Sequence, residues 1–314
     1  MFDTVAIARL VRSAARTDRF RRWRGLSLAL LGSVLWGVSG TAAQVLFRAY
    51  HVDPAWLVAI RMAVSGVLLL AAAGWTAGLS AVYAPWRSRA SALRLVLFGL
   101  AGLLGVQYTY FAAIRAGNAA TATVLQYMAP LVIVAYGAAR SRRLPSRVEI
   151  ICAALAMSGC ALLVTGGHFG RLVVSASCVG WGLLSAVAVA VYTVYPVPLL
   201  ASFGPLVVTA WGMLIGGAAM AAIGLPHMAM PSLPFGGWFL VGFVVLFGTL
   251  VPFYLYLASL RDITPADASL VASGEPLAAT ALAVAALHQP LTWAAGLGMG
   301  FVLATVTLLA RART

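Results

Sequence analysis

In a chain this apolar, the residues able to do chemistry are the few polar ones far from any run of charge. Glu275 heads them. It stands in the stretch SLVASGEPLAATALAV, and a carboxylate inside a long apolar segment must find a partner or face a path for polar solutes. It could bind a substrate ammonium or exchange a proton; a carboxyl hydrogen-bonded to a neighbouring helix is the equal alternative. Pro276 follows it directly, as Pro130 follows Ala129. A proline within a helix removes the bond to the carbonyl four residues back, here Ala272 and Gln126, and bends the helix there. Pro252 would free the Gly248 carbonyl in the same way. These three prolines are candidate hinges, and the freed carbonyls are candidate acceptors for an ammonium.

Around them lie aromatic and amide side chains at depths where a solute could pass: Trp36, Gln44, Gln107, Tyr108, Tyr110, Gln126, Tyr127, Trp181 and Tyr254. Tyr108 with Tyr110, and Tyr254 with Tyr256, are two residues apart, so one helix face cannot hold both members of a pair. One of each pair is expected at the cavity and the other at lipid or the interfacial belt. Each amide could equally be a helix-packing hydrogen bond. Arg61, a few residues inside its helix, is expected to snorkel outward in a structural or gating role. Arg115 and Arg261 sit where they could cap helix ends, and Gly296 with Gly300 has the small-xxx-small spacing of a close helix contact or a dimer face.

The elements that must hold these residues are membrane spans. Of 314 residues, 62% are hydrophobic and only 9% charged, and the mean hydropathy is +0.98, which no water-soluble domain with a polar surface would show. Ten stretches approach the roughly 20 apolar residues that a spanning helix needs: 26–47, 56–79, 93–114, 119–139, 148–166, 176–197, 204–224, 236–257, 266–287 and 291–310. The fold class expected is all-α integral membrane. A shift of 146 positions superposes residues 100–131 on 246–277 with 11 identities in 32 positions, among them Tyr108 on Tyr254, Tyr110 on Tyr256, Arg115 on Arg261 and Pro130 on Pro276. The chain therefore reads as a duplication. Each copy lies in a half of five spans, an odd number, so the two halves are expected to cross the bilayer in opposite senses, with a substrate site near the midplane between them.

Charge sets the orientation. All 21 basic residues are arginines; with a cytoplasmic N-terminus, 17 fall in cytoplasmic segments, three (Arg48, Arg115, Arg171) in outside loops, and Arg61 within a span. That asymmetry is the positive-inside pattern and places both termini in the cytoplasm. The net charge of +14 thus reads as orientation signal and lipid-headgroup contact, not as a nucleic-acid footprint. Residues 1–25 form a basic cytoplasmic segment, amphipathic helix or disorder, ahead of an uncleaved first span. The halves are expected at 26–167 and 176–310. Cys152, Cys160 and Cys178 all fall in spans, where small packing residues are the default reading.

These motifs resemble a known family. The stretch YTYFAAIRAGNAATATVLQYMAPLVIVAYGAA and its partner YLYLASLRDITPADASLVASGEPLAATALAVAALHQPL, with Trp-Gly pairs at Trp36-Gly37 and Trp181-Gly182, resemble the EamA-type repeat of the drug/metabolite transporter superfamily. The likeness covers nearly the whole chain after residue 25. It implies ten helices in two inverted five-helix repeats and secondary transport of small metabolites; amino-acid export, as in YddG-like aromatic amino-acid exporters, is one activity of the family. The family's fourth and ninth helices usually end in a glycine-glutamate pair. Here Arg140-Ser141-Arg142 and His288-Gln289 stand instead, so no role of those glutamates transfers.

The expected function is a secondary transporter, an exporter of amino acids with aromatic or other apolar side chains, in the cell inner (plasma) membrane, working by alternating access. Its partners are a small-molecule substrate and the lipid bilayer, with no nucleic acid, and it acts as a monomer or homodimer. No cofactor or metal is called for, and no Walker A sequence is present. A membrane-embedded enzyme is the first alternative, but the four histidines lie at span ends and loops and no nucleophile pattern surrounds Ser273. A passive channel is the second, although rings of like charge are missing.

Overall fold

The computed structural model describes residues 4–140, 142, 144, 146–168, 173–224, 230–259, 262–263, 271–272, 274–288 and 291–311, with side chains from residue 20 onward and a few later ones left out. Every regular element among them is a helix. α1 (Thr4–Ala49) runs unbroken from the basic segment into the first span. α2 (Pro54–Ala77) starts where theory puts a start: Asp53 accepts from the Ala55 amide, and Pro54 opens the first turn, where its missing N–H costs nothing. It stops at Gly78, whose φ of 81° suits only glycine. After α3 (Leu79–Tyr83), α4 (Arg89–Leu97) passes through a π-helical turn, Phe98–Leu104, into α5 (Gly105–Ala116).

The fourth expected span is discontinuous. Asn118 caps α6 (Ala119–Gln126) by accepting from the Thr121 amide; Tyr127 and Met128 form a turn; α7 (Ala129–Arg140) then begins afresh. The bend expected at Pro130 is thus a break, and Pro130 sits in the first turn of the new helix, where it is tolerated. α8 (Arg147–Thr165) opens on a Ser146–Glu149 capping box.

The second half repeats the plan with α9 (Ala176–Val194), α10 (Val197–Phe203), α11 (Pro205–Gly224) and α12 (Phe235–Val245), then a π turn, Leu246–Leu250, leading into α13 (Val251–Ser259). α14 (Gly274–Leu287) and α15 (Trp293–Arg311) complete it. The 146-residue shift lays the second π turn on Leu100–Leu104. An insertion of this kind loosens the backbone ladder and favours functional sites, and here it belongs to the duplicated plan.

Six helices among the described residues are long and apolar enough to span a bilayer: Phe20–Ala49, Pro54–Ala77, Arg89–Ala116, Ala176–Val194, Pro205–Gly224 and Phe235–Tyr256. The other four expected stretches fall on α6 with α7, α8, α14 and α15, which are not among those six.

Packing is reciprocal between the halves. α2 lies along α11, and α8 along α15. α1 packs against α13 and α14 of the second half, while α9 packs against α5 and α6 of the first. Glycines permit the closest approaches, as in other membrane bundles. A Cβ at Gly37 would stand 2.7 Å from the Glu275 carbonyl oxygen, and one at Gly182 2.6 Å from Leu125 Cδ1. Each half thus lays its first helix, through its Trp-Gly pair, against two helices of the other: α1 against α13 and α14, and α9 against α5 and α6. A Cβ at Gly296 or Gly300 would meet nothing within 4 Å among the described residues, and a close contact of α15 is made at Gly298, against Gly159.

Candidate functional site

The interlock brings several of the singled-out residues together. Glu275 lies in the first turn of α14, only 8% exposed. Tyr127, in the break between α6 and α7, reaches across from the first half. Its hydroxyl donates to the Ala272 carbonyl, the one that Pro276 leaves without its helical donor, and lies 3.3 Å from Glu275 Oε2. One turn before Tyr127 on α6, Thr123 exchanges a hydrogen bond with the Tyr110 hydroxyl at 2.8 Å. Tyr110 in turn seats against Gly40 of α1, where a Cβ would come 2.7 Å from its hydroxyl oxygen. Thr123 and Tyr127, one turn apart and joined by a backbone hydrogen bond, thus carry the contacts to Tyr110 and to Glu275.

The aromatic residues divide by face. Trp36 meets Phe253 edge-on at 5.2 Å and Tyr256 at 5.5 Å, while Trp181 meets Tyr108 edge-on at 5.6 Å. Tyr110 is buried, whereas Tyr254 is 59% exposed.

Three amides take different parts. Gln44 Oε1 accepts from the Ala119 amide at 2.7 Å and so helps cap α6. Gln126 Nε2 donates to Ser185 Oγ of α9 at 2.7 Å, a cross-half contact. Gln107 Nε2 is buried without a hydrogen-bond partner among the described residues. Pro252 is the second residue of α13, directly after the π turn.

Arg61 departs from its expected behaviour. It does not snorkel: it is 4% exposed, its Nε donates to Thr249 Oγ1 at 2.9 Å, and its Nη2 donates to the Gly248 carbonyl at 3.3 Å. The guanidinium carbon lies 4.4 Å from the centroid of the Phe111 ring. No carboxylate among the described residues pairs with it. The sequence held half of this contact, since Pro252 was expected to free the Gly248 carbonyl. What it lacked was the pairing of α2 with the second half's π turn.

Charge pairs close the two ends. Arg24 grips Asp262 through Nε at 2.8 Å and Nη2 at 3.0 Å, tying the start of the first span to the segment after α13. At the opposite end of α1, Arg115 pairs with Asp53 at 3.0 Å, and Arg48 donates to the Gly117 carbonyl. Arg115, one of the two arginines that could cap a helix end, pairs with a carboxylate, and Arg261 lies outside the described residues. No group of three His, Cys, Asp or Glu side chains gathers to hold a metal among the described residues.

Comparison with known proteins agrees with this architecture. The sequence model of the EamA-like transporter family matches residues 23–165 and again 176–311. The chain is 33% identical over 290 residues, covering 91% of itself and 95% of the relative, to YicL, named an uncharacterized inner membrane transporter of Salmonella typhimurium. It is 29% identical over 133 residues to the uncharacterized transporter sll0355 of Synechocystis, spanning 41% of this chain and 40% of that one. A solved crystal structure shares the fold, with a TM-score of 0.64 and 21% identity over 92% of this chain and 98% of its own. With two family repeats filling nearly the whole chain and a helix interlock built from both, the chain belongs to the EamA-like transporter family and is a membrane transporter, not an enzyme.

Proposed function

We propose that the chain is an inner-membrane exporter of small zwitterions, foremost amino acids with aromatic or other apolar side chains, working by alternating access. The observation that carries the substrate class is the surroundings of Tyr127. Its hydroxyl has one proton to give, yet the Ala272 carbonyl and the Glu275 carboxylate both stand within its reach. Two acceptors thus share a single donor. A substrate ammonium brings three, and Trp36 beside the Gly37 contact offers an aromatic face for an apolar side chain. Both acceptors lie where α1 and α6 meet α14, the interface between halves at which transporters built from repeats bind substrate.

The topology proposed with this function is ten spans in two inverted halves, both termini cytoplasmic. The 17-to-3 distribution of arginines supports it, and the name of the Salmonella relative supports the inner membrane. The test is flux of labelled phenylalanine, tyrosine, tryptophan and leucine into proteoliposomes holding the purified chain, beside a sugar and a nucleotide precursor. Saturable uptake of the apolar amino acids is expected. Movement of the sugar or nucleotide precursor with the amino acids ignored would overturn the substrate class, and unsaturable flux at channel rates would replace the carrier with a pore.

A further inference from the structure

The duplicated plan is broken at a buried junction between α2 and the second π turn. Gly66 of α2 would strike the Leu214 backbone nitrogen with a Cβ at 2.6 Å, and Gly217 of α11 would strike that of Ala63 at 2.5 Å. The contacts 66–214 and 63–217 are images of each other when α2 is shifted by 151 onto α11 (63 on 214, 66 on 217). Arg61 then corresponds to Gly212. The π turns correspond by the 146 shift, so Thr249 matches Leu103 and Pro252 matches Val106. Gly212 does lie on Leu103, where a Cβ would stand 2.6 Å from Leu103 Cδ1, just as Arg61 lies on Thr249. One copy of the junction is therefore Gly212–Leu103–Val106, wholly apolar. The other is Arg61–Thr249–Pro252.

The three differences answer one another chemically. Val106 keeps a backbone N–H that Pro252 lacks, so the second π turn is short of a donor the first possesses. Gly248 is the residue four before Pro252, and its carbonyl is the one that Arg61 Nη2 reaches. A buried carbonyl left unpaired in the bilayer interior is costly, so a side chain on α2 that reaches it must donate. The guanidinium fork does so, holding the carbonyl and the Thr249 hydroxyl together. Its charge, without a carboxylate among the described residues, rests against these acceptors and the Phe111 ring.

We propose that Arg61 is a positioning residue that replaces, from the other half of the chain, the hydrogen bond Pro252 removes, and so fixes the π turn Leu246–Leu250 against α1. Gly248 packs under Ser39 of α1, where a Cβ would overlap the Ser39 hydroxyl. Ser39 is two residues from Gly37, the contact with Glu275. A shift of the π turn therefore reaches the helix that also carries the proposed substrate contacts. Pro252 softens the eighth span, and Arg61 decides where the softened segment rests.

This inference does not depend on the substrate class, and its test needs no substrate. Hydrogen exchange of amides between residues 244 and 258 is followed in the purified full-length chain for wild type, Arg61→Met, Pro252→Val and the double variant, with Arg61→Lys as the conservative change. Arg61→Met is expected to raise exchange there about tenfold, the scale of a lost buried hydrogen bond, and Arg61→Lys by less. Adding Pro252→Val, which copies the first half and restores a backbone donor, is expected to bring exchange back close to that of Pro252→Val alone. Should Arg61→Met fail to fold, recovery of monodisperse protein in the double variant is the same readout. A double variant as loose or as poorly folded as Arg61→Met would overturn the proposal, since Arg61 would then be needed for a reason unrelated to Pro252. If the protein moves amino acids, the rescue is also expected in initial flux.

Discussion

Tyr127 is the residue at which the two halves share a proton donor. Its loss in Tyr127→Phe leaves the Ala272 carbonyl without its described donor, an unpaired buried acceptor costing about 1 to 3 kcal/mol. Reversible unfolding in detergent is expected to fall by that amount, and substrate affinity to change with it, because the acceptors offered to the ammonium lose their fixed positions. Unfolding indistinguishable from wild type would mean that the hydroxyl is not holding the carbonyl. At this scale the sequence was partly legible. Glu275 stands out as a central carboxylate, and Pro276 names the Ala272 carbonyl as the one set free. Tyr127 was visible only as one candidate among many, since its partner lies 145 residues away in the chain and the contact exists only because the halves interlock. Arg61 was misjudged for the same reason: depth in a span says whether a side chain can snorkel, not whether a carbonyl waits for it inside.

Helices approach most closely at the Trp-Gly pairs. Gly37→Ala must displace the Glu275 backbone and Gly182→Ala the Leu125 side chain, since each new Cβ would come within 2.7 Å of them. Overpacking of this kind costs about 1 to 3 kcal/mol at both sites, because the Glu275 carbonyl in one and the Leu125 Cβ, 2.7 Å away, in the other move only with the backbone. Gly296→Ala, with open space around it, is expected to unfold like wild type; a loss as large as that of Gly37→Ala would show that α15 packs on a second copy. Pro276→Ala should give a milder transport defect than any change at Glu275, by offering the Ala272 carbonyl a helical donor in competition with Tyr127. The long spans were legible because hydropathy and length determine them. The break at Tyr127–Met128 was legible only as a proline bend: proline disfavours helix in the residue before it, but whether the chain bends or restarts depends on what can satisfy the freed groups. The π turns left no trace in hydropathy, because one extra residue in a turn changes no composition.

For the molecule as a whole, the duplication was legible in the tyrosine, arginine and proline register, and the family repeats at 23–165 and 176–311 agree with it. How each half lays its first helix against the other was not, because apolar faces of similar composition carry no address. The proposed topology predicts that cysteines placed at residues 51, 117, 169, 228 or 289 react with an impermeant maleimide added outside intact cells, and that those at 88 or 144 react only after permeabilisation; outside labelling at 88 or 144 would refute it. In the proposed mechanism Glu275, at the meeting of the halves, takes the substrate ammonium or carries a coupling proton. This role is tested most directly by initial amino-acid flux into proteoliposomes across a pH series for wild type and Glu275→Gln, a nearly isosteric change that keeps the fold while removing the charge and the titration. Flux in Glu275→Gln is expected to fall at least about tenfold, the loss of a charge-assisted hydrogen bond of about 1.5 kcal/mol or more, or to lose its dependence on pH. Rates and a pH profile equal to wild type would contradict that role and leave Glu275 a structural group beside an uncharged path.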